Sequence, residues 1–151
     1  MICVLTAAKS CSGFNNSETF VSVVAAVFHE GHKVFVTQRG YGEFKGRWEF
    51  PGGKIEVGES AETALRREIQ EELSSDLTIE CSLGSVSYAY PTFSLTMEVF
   101  LVHLENGTLT LNEAEDAKWV DIEDLPSIDF LPPDRMILPA ISSALRALPK
   151  P

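Results

Sequence analysis

A chain of 151 residues suits one compact domain and is short for two. Its hydrophobic share of 44% and charged share of 23% exclude a disordered or collagen-like chain, and no apolar run approaches the roughly 18 residues of a membrane span. The formal charge of −10 sets the surface against phosphodiester backbones, so neither a nucleic-acid polymer nor a membrane is an expected partner, whereas a small anionic substrate is admissible if bound cations reverse the local sign.

Residues 1–18 read as a flexible leader. They begin apolar without a basic segment and end in the small, polar run Ser10 to Glu18. A single domain is expected over 19–148. Three scattered cysteines, Cys3, Cys11 and Cys81, lack disulfide or zinc spacing and suggest reduced thiols in a cytoplasmic protein. Thr19 to Phe28 is rich in β-branched and aromatic residues and predicts a buried strand. The turn at His29 to His32 leads to a second strand, Lys33 to Thr37, which predicts a hairpin. Residues 40–47 carry three glycines and read as a loop. Trp48 to Phe50 is a short strand, stopped by Pro51-Gly52-Gly53. Ala61 to Leu73 is the clearest helix, with Ala61, Ala64, Leu65, Ile69 and Leu73 on one face. Strands follow at 76–80, 85–90 and 93–104, then a turn at Asn106-Gly107 and a short strand at 118–120. The tail from Pro132 to Leu148 predicts a helix that Pro139 kinks or opens. This order predicts an α/β fold with a mixed sheet between helices.

The long helix carries an anomaly. Glu68, Glu71 and Glu72 share one face at i, i+3 and i+4, where like charges repel. Glu71 and Glu72 also sit near the helix C-terminus, whose dipole disfavours negative charge. A bound hard divalent cation resolves both conflicts. A solvated acidic face balanced by Arg66 and Arg67 is the plain alternative. The turn Pro51-Gly52-Gly53 just ahead favours the cation, because glycines let the backbone approach a ligand closely.

Gly53, Glu59, Arg67, Glu68, Ile69, Glu71 and Glu72 stand in the register of the Nudix box, and the chain resembles that family in its MutT-like branch. Trp48 to Glu56 is similar to the branch's strand-and-turn entry to the box. The likeness spans about residues 20–145 and is specific around 36–73. The box's usual Gly and aliphatic residue after the last Glu are Ser74 and Ser75 here, which alters the helix C-cap.

The resemblance implies a Nudix α/β/α sandwich that converts a nucleoside triphosphate to a monophosphate and pyrophosphate with Mg²⁺, or Mn²⁺ in its place. Glu68, Glu71 and Glu72, with a carbonyl of Gly52 or Gly53, would hold the metal. Glu68 would serve as ligand or general base, and Glu59 with Arg67 as an orienting pair. A loop acid, Glu113 or else Glu115, would join the catalytic set. Arg39, Glu49 and Phe50 would face the nucleotide. Tyr41, Phe44 and Tyr90 are candidate stacking platforms or packing residues. Asp134 would read the base where oxidised-guanine enzymes have Asn, or would simply cap a helix. As an ionised acceptor it would suit cytosine's amine or guanine's N1–H and N2–H, so 8-oxo-dGTP and cytidine nucleotides are both candidates. A monomer or homodimer is expected. A catalytically silent domain that senses or binds nucleotides is the alternative.

Overall fold

The computed structural model describes residues 19–106 and 108–149. The leader expected at 1–18 and Gly107 of the expected turn lie outside them. Strand β1 (Phe20–Glu30) runs through the centre. Successive side chains on a strand point to opposite faces. Val21, Val23, Ala25 and Val27 therefore enter one apolar cluster, and Val24, Ala26 and Phe28 another. The uninterrupted apolar run of β1 reflects burial on both sides.

Gly31, at φ 61°, and His32 turn the chain into β2 (Lys33–Gln38), which begins antiparallel to the end of β1. β3 (Trp48–Glu49) pairs with β2. The expected stop at Pro51-Gly52-Gly53 is itself a strand, β4 (Gly52–Lys54), paired with Val23 to Ala25 of β1. The absence of side chains makes this pairing possible, since a Cβ on Gly52 would collide with the Val24 carbonyl oxygen.

Helix α1 (Ala61–Leu73) starts at Ser60, whose hydroxyl accepts from the Thr63 N–H at 3.1 Å. It ends at Ser74, which takes the left-handed conformation (φ 53°, ψ 42°) that glycine usually fills. The two strands expected at 76–80 and 85–90 are one continuous strand, β5 (Asp76–Tyr90), antiparallel to β6 (Phe93–Asn106). Register shifts at Ile79/Cys81 and Ser82/Gly84 absorb the polar middle, which reads as a loop in the sequence. Glu80 sits at the first shift, and its Oε2 meets both His29 Nε2 (2.8 Å) and His103 Nδ1 (2.9 Å), linking three strands.

β7 (Asp116–Asp121) pairs with β2, and a 3-10 turn over Ile122–Ser127 follows. The tail is two helices, α2 (Pro132–Met136) and α3 (Leu138–Arg146), rather than one. Pro139 lies in the first turn of α3, and its ring and missing N–H bar a continuous helix through Arg135.

The strand order is β3-β2-β1-β6-β5, with β4 beside β1 and β7 beside β2, and only β1 and β6 run parallel among these pairs. Helix α1 packs Ala64, Leu65, Ile69 and Leu73 on one core, and the α2–α3 segment packs Ile137, Leu138, Ile141 and Leu145 on the other. Each such Ile or Leu contributes about 1.5–3 kcal/mol by leaving water. The result is an α/β/α sandwich. No helix among the described residues is long and apolar enough to cross a membrane.

Candidate active site

The helix that anchors one core also presents the acids. Glu68 and Glu72 are buried one turn apart, whereas the Glu71 side chain is 52% exposed. The three therefore do not share one environment. Among the described residues, no three His, Cys, Asp or Glu side chains gather closely enough to form a ready-made metal cage. Burial pushes the Glu72 carboxyl up to about 8, and the charges of Glu49, Glu68 and Glu113 push the same way. Burial also raises Glu68, against the pull of Arg67.

Arg67 organises the acids around it. Its Nε and Nη2 donate to the two oxygens of Glu59, each at 2.8 Å, and Nη1 donates to Glu68 Oε2 at 2.8 Å. Nη2 also donates to the Lys54 carbonyl at 2.9 Å, joining α1 to β4. Glu71 lies 3.5 Å from Nη1. The Arg67 guanidinium, helped by the Glu56 N–H, holds the Glu59 carboxyl down near 2. Gly53 makes room for this arrangement, because a Cβ there would collide with the Glu68 carboxyl. Two adjacent glycines thus serve different contacts, Gly52 on β1 and Gly53 on α1.

One cleft, with an empty volume of about 520 Å³, is lined by both Glu72 and Asp134. Arg39, Glu49, Phe50, Gly52 and Gly53 line it too, with apolar walls from Val23, Leu95, Met97 and Leu131. The capping alternative for Asp134 is ruled out. Leu131 is the N-cap of α2 and makes no side-chain capping bond, whereas Asp134 is buried and its Oδ1 accepts from the Phe50 N–H at 2.9 Å. Burial drives its carboxyl up to about 8. Burial thus favours the protonated carboxyl, which can donate as well as accept, over the ionised acceptor expected from the sequence. Arg39 forms an ion pair with Glu49 at 2.8 Å. Of the aromatic candidates, Tyr90 lines this cleft, while Tyr41 lines a smaller adjoining groove.

That groove also contains Thr37, Arg39, Glu49, Glu72 and Glu113, so the loop acid and α1 line one groove. Glu113 itself is exposed. Glu115 instead packs its Cβ toward Gly40. The loop is held by a residue that the sequence reading omits. Asn112 Nδ2 donates to the Glu71 carbonyl and to Ser74 Oγ, both at 2.9 Å, and its backbone N–H donates to the Glu72 carbonyl at 3.0 Å. Thr110 N–H reaches the Leu73 carbonyl at 3.0 Å. A helix leaves its last carbonyls without internal partners, and here a distant loop satisfies them. The signal lay in the helix end, which lacks the usual glycine and needs donors from elsewhere.

The Nudix domain family matches residues 18–141. The chain belongs to the Nudix family. Among Nudix relatives, the Escherichia coli CTP pyrophosphohydrolase is 32% identical over 128 residues, covering 84% of this chain and 94% of that protein. The Escherichia coli 8-oxo-dGTP diphosphatase is 29% identical over 116 residues, covering 76% and 90%. The crystal structure of a MutT Nudix hydrolase from Burkholderia pseudomallei superposes with a TM-score of 0.74 at 25% identity, covering 82% of this chain and 98% of that one. Its match supports the same arrangement of mixed sheet and flanking helices. In this Nudix fold, the seven box residues fall between β4 and the end of α1.

Proposed function

We propose that the protein is a Mg²⁺-dependent hydrolase that converts a nucleoside triphosphate to the monophosphate and pyrophosphate. One observation carries this reading: Glu72 on the Nudix helix and the buried Asp134 line the same cleft. A nucleotide could then lie with its phosphates toward Glu72 and its base toward Asp134.

The donors near the helix fit a hard divalent cation. They are carboxylate and carbonyl oxygens, and the buried Glu72 has no ion-paired cationic side chain among the described residues. Glu72 and Glu68, with a carbonyl of Gly52 or Gly53, would hold the ion. Glu71 would join only by turning away from Arg67. When bound, the ion would neutralise charge on the phosphate oxygens. Arg67 fixes the direction of Glu68, as an outer partner of a ligand does. Glu113, exposed in the adjoining groove, can take the proton of the attacking water. In the net reaction, the water oxygen bonds to phosphorus, one bridging P–O bond breaks, and one proton is released.

At the other end, protonated Asp134 keeps an O–H to donate while Oδ1 retains capacity to accept. That pattern suits a base edge with neighbouring acceptor and donor. The O6 and N7–H of 8-oxoguanine have it, as do N3 and the amine of cytosine. The N7 and O6 of unoxidised guanine are both acceptors, so that edge does not have it, and guanine would have to present its O6 and N1–H edge instead. The relatives named 8-oxo-dGTP diphosphatase and CTP pyrophosphohydrolase support this class, and the proposed role is to clear unwanted nucleotides from the triphosphate pool.

The test is pyrophosphate release from 8-oxo-dGTP, CTP, dCTP, 5-methyl-dCTP and dGTP with and without Mg²⁺. Turnover of the first four should exceed that of dGTP and require the ion. Glu72→Gln should lower kcat by a hundredfold or more, the scale of losing a key electrostatic group. Tight nucleotide binding with no turnover under any metal would instead establish a silent binding domain.

A further inference from the structure

Tyr90 closes β5 and lines the cleft that holds Asp134. Its ring is already engaged. It stacks on Phe93 at 4.8 Å with planes 18° apart, and meets Tyr88 at 4.8 Å and Phe44 at 5.6 Å edge-on. These contacts leave little case for a base-stacking platform and instead fix the direction of the phenol. The hydroxyl is buried, and it has no hydrogen-bond partner among the described residues. Leaving such a group unsatisfied costs its full desolvation penalty. A packing role alone would be met by Phe without that cost. Burial, then the nearby Asp134 carboxyl, raise the phenol's ionisation further above neutrality, so it keeps its proton.

We propose that the Tyr90 hydroxyl is a second base-reading group, donating a hydrogen bond to an exocyclic carbonyl next to the edge read by Asp134. The inference rests on the reading of this cleft as the base site and deepens it. In 8-oxoguanine, the O8 carbonyl adjoins N7–H. In cytosine, the O2 carbonyl adjoins N3. Adenine has a neighbouring acceptor and donor on its N1 and amine edge but only C2–H beside them. Unoxidised guanine has only C8–H beside N7, and beside its O6 and N1–H pair it has the N2 amine, a donor rather than a carbonyl. Asp134 alone would admit adenine and guanine as well, and the Tyr90 donor favours the bases that carry the extra carbonyl over them.

The experiment compares wild type with Tyr90→Phe on 8-oxo-dGTP, CTP, ATP and dGTP, together with thermal unfolding of both proteins without nucleotide. The variant should lose about tenfold in kcat/KM on 8-oxo-dGTP and CTP, mainly through KM, which is the loss of one hydrogen bond. Its values on ATP and dGTP should stay within twofold of wild type. Unfolding temperature should hold or rise, because an unsatisfied buried hydroxyl is deleted. Equal losses on all four nucleotides, or none, would overturn the proposal while leaving the hydrolase reading intact. A marked drop in unfolding temperature would also overturn it, by showing that the hydroxyl serves the fold. A wild-type protein inactive on every nucleotide would remove the underlying reading instead.

Discussion

Asp134 shows how a single side chain changes chemical character through burial. Free in an unfolded chain, its carboxyl ionises near 3.8, whereas in the fold it holds its proton up to about 8. Between those values the folded state binds a proton that the unfolded state has lost. Stability must therefore fall as pH rises across that window, by up to ~1.4 kcal/mol per pH unit from this group, and level off above it. Urea midpoints measured from about pH 5 to 8 should show the decline, and Asp134→Asn should make it shallower. An unchanged slope in the variant would mean that Asp134 is ionised in the fold. The sequence could supply the identity of this residue but not its charge state. Two prolines before an acid read equally well as a helix start, and only the burial of the segment against Phe50 decides between cap and pocket. Arg39 was similarly half legible: its place beside the cleft follows from resemblance, but its pairing with Glu49 depends on β2 and β3 lying side by side.

Among the elements, α1 was the most legible, because helical spacing and an acidic run coincide there. Its ends were not. Ser74 adopts a conformation that favours glycine, and the loop before β7 supplies the donors that the helix end needs. Those bonds join sequence-distant segments, so no local pattern announces them. They also tie Glu113 to the helix that bears Glu72. Asn112→Ala should cost about 1 kcal/mol in stability. It should also lower kcat several-fold with KM little changed, because the cleft lined by Asp134 is untouched while Glu113 drifts. Steady-state kinetics beside chemical unfolding would check this, and a stability loss with kcat intact would reduce Asn112 to a cap. The split tail and the merged β5 have a common cause. A proline and a polar stretch are local breaks, but only packing decides whether a break ends an element or is absorbed as a bulge.

At the scale of the molecule, a buried acid on α1 costs the metal-free fold stability. Glu72, with its carboxyl pushed up to about 8, is poorly served by the metal-free fold. A divalent cation bound there would stabilise the folded state by mass action. Mg²⁺ at about a hundred times its dissociation constant should raise the unfolding temperature by on the order of 5 °C or more. Glu72→Gln should raise the metal-free unfolding temperature near neutral pH and erase the response to Mg²⁺. Calorimetric scans of both proteins would show it, and a Mg²⁺ response surviving in the variant would place the ion elsewhere. The α/β architecture itself was legible because β-branched and aromatic runs mark the strands while helical spacing marks the central and terminal helices. The role of β4 was not, since a strand made largely of glycine has no periodic signal.

The placement of β1 has an evolutionary consequence. Its odd-numbered residues from Val21 to Val27 fill one core, and its even-numbered residues from Val24 to Phe28 fill the other. Loss or gain of one residue within it would carry every later side chain through the sheet to the opposite layer. Natural length variation should therefore collect in the glycine-bearing loop at 40–47, while β1 tolerates exchange of one apolar residue for another but no change in count.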